Sequence, residues 1–376
     1  MKFYFVAGER SGDLHGGNLI HVLKKRHAGL LCRGFGGDYM KEAGMEVPVH
    51  YNEMAFMGFV EVLANLSTIS RMIKFCKQDI LAFKPDVVVL IDYAGFNLRI
   101  AKFAKQNGIK VFWYIAPKVW AWNQNRAIKL KANVDRMFVI LPFEKDFFKK
   151  FDWTVDYVGN PVLDAVKMHQ AAREFLTRNK ILSDKPLVAL LPGSRKQELK
   201  RIIPLMAEVA KKNQTFQFVV AAVDNLPQEF YSVLRAVPNV SFVTGATYDL
   251  LTYAQAAIVT SGTATLETAL FKVPQVVVYR TSSISYLIAK NLIRVPYISL
   301  VNLIAGREVV KEMIQQKANN KDVSTELNLI LKDDQYREKI LHGYNEIRNI
   351  LDTGSASENT ADLMLHYLQS SNHQID

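Results

Sequence analysis

Two successive series of short apolar runs, each run followed by a helix-like stretch, constrain this chain more than any other feature. In the first half the runs fall at residues 3–7, 87–91, 111–115 and 137–141, with helical patterns such as 16–25 and 98–106 between them. The series restarts at 187–191, 216–222, 240–243, 257–260 and 275–279. Strands apolar on both faces and separated by helices belong in parallel sheets covered on both sides, so the fold class is α/β. A length of 376 residues suits two Rossmann-like βαβ domains rather than one domain. A polar, helix-like stretch at 162–180, followed by Ser-Asp-Lys-Pro at 183–186, separates the two series, and residues from about 334 to 373 carry only helical patterns. The expected organisation is a first domain over 1–164, a second over 165–345 and C-terminal helices over 346–376. Two such domains facing across a cleft each present their strand C-terminal ends to it, where ligands of open α/β sheets bind.

Composition narrows the partners. The net charge of +11 favours polyanions: nucleic acid, phosphorylated substrates or an anionic membrane. No RRM, KH or helix-turn-helix signature accompanies the basic residues, so nucleic acid is not expected. The 8 histidines are scattered, without HExxH or zinc spacing, and neither a metal nor a cofactor is expected. Two cysteines, Cys32 and Cys76, suit a reducing cytoplasm. The first run begins at Lys2 without a secretory leader, and no run of about 18 apolar residues reads as a spanning helix.

Four motifs follow strands and open helices. Ala-Gly-Glu-Arg-Ser-Gly-Asp at 7–13 is a Gly-rich turn whose Glu9 and Asp13 would repel a pyrophosphate, which suits an acceptor sugar touching Glu9, Ser11 and Asp13. Its plainer reading is a helix start with Ser11 or Asp13 as N-cap. Asp92 ends the apolar run 87–91 and is followed by Asn97; a part-desolvated carboxylate there can take a proton from an attacking hydroxyl, or simply cap the next helix. In Leu-Leu-Pro-Gly-Ser-Arg at 190–195, Gly193 and Ser194 allow close backbone approach and Arg195 offers a fork for phosphate oxygens. At Ser261, Gly262 and Thr263 a small, hydroxylated turn opens a helix, with Glu267 placed to accept ribose hydroxyls. A turn with a surface Arg and a Ser/Thr-rich cap are the plainer alternatives for these two. Asn302 belongs to a polar cluster, 299–308, near the expected donor site.

Two further stretches are basic-aromatic or apolar. Tyr-Ile-Ala-Pro-Lys-Val-Trp-Ala-Trp at 114–122 precedes Arg126, Lys129, Lys131 and Arg136, and reads either as a stacking surface or as a packed loop beside a solvated helix. Residues 54–75 hold more apolar side chains than one core face needs, among them Phe56, Phe59, Leu63 and Leu66, with Arg71, Lys74 and Lys77 at the end. Such a segment lies in a bilayer interface or forms a buried helix.

Together these blocks resemble lipid-A-disaccharide synthase, a family of inverting glycosyltransferases with the GT-B fold. The resemblance rests on AGERSGD at 7–13, MGFVEVL at 57–63, IDYAGFN at 91–97, YIAPKVWAW at 114–122, LPFEKDFF at 141–148 and YVGNPVLD at 157–164. LLPGSRKQE at 190–198, SGTATLE at 261–267 and VNLIAGREVVKE at 301–312 complete it. The resemblance implies a cytoplasmic enzyme, peripheral on the inner membrane. It implies transfer from UDP-2,3-diacylglucosamine to 2,3-diacylglucosamine 1-phosphate (lipid X) through a β-1,6 bond, with release of UDP. It further implies C-terminal helices that cross back to the first domain and, in some members, a homodimer. Asp92 matches the family's general base, Arg195, Ser261, Gly262, Thr263, Glu267 and Asn302 its UDP-donor positions, and Glu9, Ser11 and Asp13 its first-domain motif. Arg10, where a small residue is more usual, and Asn160, where a His often follows the Gly, depart from the pattern. Another UDP-sugar enzyme of the same fold, such as a 2-epimerase, would share the donor turn more than the first-domain blocks, and a basic binding protein would use neither.

Overall fold

The computed structural model describes residues 1–53, 66–181, 184–223, 226–282, 286 and 295–370. The chain forms two compact units, Met1–Pro161 with Thr353–Asp376, and Val162–Asp352. The boundaries read from the sequence, after 164 and after 345, differ for a packing reason. Val162 and Leu163 already enter the second unit's core, and the helix Asp334–Leu351 stays in it to its last residue.

The first unit contains β1 (Lys2–Ala7), β2 (Leu31–Gly36), β3 (Glu46–His50), β4 (Val87–Ile91), β5 (Lys110–Tyr114), β6 (Arg136–Val139) and β7 (Asp156–Tyr157). Among the described residues these form one parallel sheet in the order β3-β2-β1-β4-β5-β6-β7. All five side chains of β4, and Phe3 to Ala7 of β1, are buried, because helices cover both faces of the central strands. Successive crossovers build outward from β1 on one side, then restart at β4 on the other. The loops leaving β1 and β4 therefore diverge and open a crevice at their C-terminal ends.

The second unit repeats the plan with β8 (Leu187–Leu191), β9 (Gln217–Ala222), β10 (Val240–Thr244), β11 (Ala256–Thr260), β12 (Gln275–Tyr279) and β13 (Glu312–Ile314). Their order is β10-β9-β8-β11-β12-β13, all parallel, with the reversal between β8 and β11.

Four strands escape the apolar pattern. β7 and β13 have two and three residues, and β3 carries Pro48, which an edge strand tolerates. β2 is interrupted by Arg33, Gly34 and Gly36. Gly34 is required: its φ is +145°, and a Cβ there would lie 2.0 Å from the Phe5 carbonyl oxygen. Gly34→Ala should therefore destabilise the chain by about 3 kcal/mol or more, seen as a lowered denaturation midpoint.

The final helix, Ala356–Ser370, belongs to the first unit. Ala361, Met364, Leu365 and Leu368 join Phe3, Phe5, Phe112 and Phe138 in its core. The Arg136 guanidinium sits 3.8 Å from the centre of the Tyr367 ring, and Arg26 pairs with Asp362 at 2.8 Å. Where the chain returns, Gly159 (φ +93°) faces Thr353, whose Oγ1 would be 2.9 Å from an added Cβ. Asn359 Nδ2 donates to the Val158 carbonyl at 3.1 Å, so the stretch 157–161 receives the returning segment.

Phe56, Phe59 and Leu63 lie outside the described residues. So does the side chain of Leu66, the first residue of the helix Leu66–Phe83. Among the described residues no helix is long and apolar enough to cross a membrane.

Candidate active-site residues on each unit

In the first unit the reversal between β1 and β4 brings Glu9 and Asp92 together. Asp92 N–H still donates to the Tyr114 carbonyl at 3.2 Å, so the residue continues the sheet's edge. Its backbone, however, turns left-handed at φ +44°, followed by Tyr93 at +42°, and Ile115 beyond β5 has φ +65°. Left-handed non-glycine residues are costly, and three of them line this end of neighbouring strands β4 and β5. Gly8 is needed here because a Cβ would fall 2.3 Å from the Tyr93 ring. Burial pushes the Asp92 carboxyl up to about 6, and the Glu9 carboxylate adds to this. The Lys118 ammonium and the Tyr93 N–H pull the other way. At neutral pH Asp92 is thus ionised yet more basic than an ordinary aspartate, which suits proton abstraction.

The other first-unit residues are placed differently. Asn97 is fully buried, and its Nδ2 donates to the carbonyls of Asp92 (2.9 Å), Ile91 (3.2 Å) and Val6 (3.4 Å). It ties the ends of β1 and β4 together and holds the strained Asp92. Asp13 is 1 % exposed, and its carboxylate accepts from the N–H groups of Gly37 (2.7 Å), Tyr39 (3.1 Å) and Met40 (3.1 Å). Those amides open the short helix Asp38–Glu42, so Asp13 is committed inside the protein. The N-cap of the helix Arg10–Arg26 is Glu9, through its backbone; Ser11 is exposed in the first turn.

Glu144 went unremarked in the sequence beyond its motif. It is 1 % exposed and accepts from Trp120 Nε1 (3.1 Å), Leu141 N–H (3.0 Å) and Ile140 N–H (3.2 Å). Burial lifts its carboxyl to about 7 despite these bonds. LPFEKDFF and YIAPKVWAW are thereby joined, and Lys118 of the second motif acts electrostatically on both Glu144 and Asp92.

In the second unit the turns after β8 and β11 are neighbours, since Leu191 pairs with Val259. Gly193 takes φ +98°, and the Arg195 side chain is 64 % exposed. Ser261 is already engaged: its N–H donates to Val278 and its hydroxyl to the Ile298 carbonyl at 2.8 Å. Gly262 and Thr263 follow at the start of the helix Thr263–Leu270, where the first N–H groups have no partner within the helix. Glu267 accepts from Tyr248 Oη at 2.9 Å through one oxygen. Its burial raises its pKa, and the tyrosine offsets part of that. No local pattern marks Tyr248, which reaches Glu267 from the separate helix Thr247–Tyr253.

Asn302 is buried and wholly used. Its Nδ2 donates to Val310 O and to Glu312 Oε1, both at 2.9 Å, and its Oδ1 accepts from Val309 (2.8 Å) and Val310 (3.1 Å) N–H. Glu312 also accepts from Ser299 Oγ at 2.7 Å and from Ile298 N–H at 2.9 Å. Asn302 and Glu312 therefore shape the loop on which the Ser261 hydroxyl rests.

Two doubly wound parallel sheets, each with its polar turns at the strand reversal, define an enzyme of the GT-B class. Solved structures share the fold. A UDP-GlcNAc 2-epimerase from Neisseria meningitidis, bound to UDP-GlcNAc, superposes with a TM-score of 0.68 at 16 % identity, over 98 % of this chain and 100 % of that one. The calicheamicin glycosyltransferase CalG4 gives 0.63 at 16 %, over 98 % of each. The profile of the family described as lipid-A-disaccharide synthetase matches residues 3–364. The lipid-A-disaccharide synthase of Syntrophus aciditrophicus (strain SB) is 40 % identical over 97 % of both chains. That of Coxiella burnetii (strain Dugway 5J108-111) is 36 % identical over 96 % of both. The chain belongs to the lipid-A-disaccharide synthetase family, glycosyltransferases of lipid A biosynthesis.

Proposed function

We propose that the chain transfers 2,3-diacylglucosamine from UDP-2,3-diacylglucosamine to the 6-hydroxyl of 2,3-diacylglucosamine 1-phosphate. The product is a β-1,6-linked disaccharide 1-phosphate, formed with inversion, and UDP. The observation that carries this reading is Asp92, a strained strand-end carboxylate held near pH 6 in a chain of this family. Asp92 takes the hydroxyl proton while the acceptor oxygen bonds to the anomeric carbon. The bond from that carbon to the diphosphate oxygen breaks, and UDP leaves with the electron pair. Arg195 and the N–H groups of Gly262 and Thr263 belong to the donor side, where they take up the developing charge, and Gly193 and Ser194 shape the turn that carries Arg195. Glu267, steadied by Tyr248, accepts the ribose hydroxyls. Glu9 and Ser11 meet the acceptor. Asp13, Asn97, Ser261 and Asn302 act by position.

The reaction runs on the cytoplasmic face of the inner membrane, with Phe56, Phe59, Leu63 and Leu66 as contacts, and the chain works as a homodimer. The basic surplus of +11 supports an anionic surface and phosphorylated substrates. The test is incubation with UDP-2,3-diacylglucosamine and the monophosphate acceptor. UDP and disaccharide should appear together. Donor turnover that does not depend on acceptor would overturn the transfer reading.

A further inference from the structure

The two turns at the reversal of the second sheet are not equally available. A Cβ placed on Gly262 would meet nothing within 4 Å among the described residues, which leave that turn open. A Cβ on Gly193 would lie 2.5 Å from Oε2 of Glu198. The Glu198 side chain has folded back over its own turn, against Gly193 and toward the start of its helix. Its Oε1 stands 3.7 Å from Arg195 Nη1, and its side chain is 22 % exposed. Tyr279, at the end of β12, faces both charges. Glu198 is the third residue of the helix Lys196–Lys212, so the helix supplies its own N-terminal anion. Amides in that position hold carboxylate and phosphate through the same interaction.

We propose that Glu198 is a resident anion of the donor site, standing over the turn at residues 193–195 and steering an incoming diphosphate to the open turn at 262–263 and the Arg195 guanidinium. The inference rests on the reading of these turns as the donor site. It has a kinetic consequence. Free UDP carries up to one more negative charge than a UDP-sugar, so a fixed carboxylate beside it weighs more on the product than on the substrate. Glu198 thereby favours release of UDP after transfer.

Glu198→Gln removes the charge and keeps the shape of the side chain. UDP titrated into this variant should bind at least about threefold more tightly than to the unsubstituted chain. UDP should also inhibit turnover more strongly. Glu198→Ala, which removes the rest of the side chain as well, should shift UDP affinity in the same direction. Unchanged or weaker UDP binding by a folded Glu198→Gln protein overturns the proposal, because a residue that only supports Arg195 gives that sign. Arg195→Gln separates the two readings: it should weaken UDP binding. Unchanged UDP binding in Arg195→Gln removes the donor site itself from this turn, whatever Glu198→Gln does.

Discussion

Replacing Asp92 by Asn should lower kcat by about a thousandfold or more and, at neutral pH, make the folded chain more stable. Asn is the residue to use because it tolerates the left-handed backbone at φ +44° and keeps the side-chain volume. It cannot take a proton, so turnover is lost while binding of UDP, which concerns the second unit, survives. The stability gain follows from the carboxyl's environment. Its pKa rises from an ordinary 3.8 to about 6, chiefly through burial and next through Glu9. The folded state therefore holds a proton that the unfolded state releases. Stability falls as pH rises between those values, and the full cost, on the order of 1–3 kcal/mol, is present at pH 7. Near-normal turnover in the variant would remove the base assignment, and a lowered denaturation midpoint would remove the cost assigned to the buried carboxylate. In the unsubstituted enzyme the same value sets the acid limb: kcat/KM should drop tenfold per unit below about pH 6 as the base binds its proton, and Glu9→Gln should move that limb lower.

Met364→Asp should strongly destabilise the first unit. Met364 is fully buried among Phe3, Phe5, Ala361 and Leu368, under the sheet that carries Asp92. An unpaired carboxylate there costs about 4 kcal/mol or more, a large part of the 5–15 kcal/mol that holds a typical domain together. The denaturation midpoint should fall by about 10 °C or the protein should be recovered insoluble. His366→Asp, exposed on the same helix, should stay within about 0.5 kcal/mol of the starting chain. A Met364→Asp protein with an unchanged midpoint would mean that the first unit does not need its final helix.

What the sequence made legible follows from how local each signal is. Central strands such as β4 and β8 are buried on both faces and read directly as apolar runs. β2 does not, because its Gly34 answers to the Phe5 backbone on another strand and its Arg33 is paired with Asp79 of a helix. The turns that carry Asp92, Arg195 and Gly262 were legible as turns because each follows a readable strand. The duties of Asp13, Asn97 and Asn302 were not. Residue type and position suggest ligand contact, yet the Asp13 carboxylate, the Asn97 Nδ2 and both polar atoms of Asn302 are taken up within the protein. Tyr248 and Glu144 were hidden for the converse reason: their partners, Glu267 and Trp120, lie about twenty residues away.

The helix Ala356–Ser370 covers the sheet that begins at Lys2. During synthesis the first unit is therefore made first and completed last. Its strands emerge early, but the side chains that close their core wait for the intervening stretch Val162–Asp352. At ordinary elongation rates that is a delay of about 10–40 s. The second unit, being continuous in sequence, can close as it leaves the ribosome. For this interval the nascent chain exposes the apolar sheet face around Phe3, Phe5, Phe112 and Phe138, so chaperone demand falls on the unit that carries the proposed base.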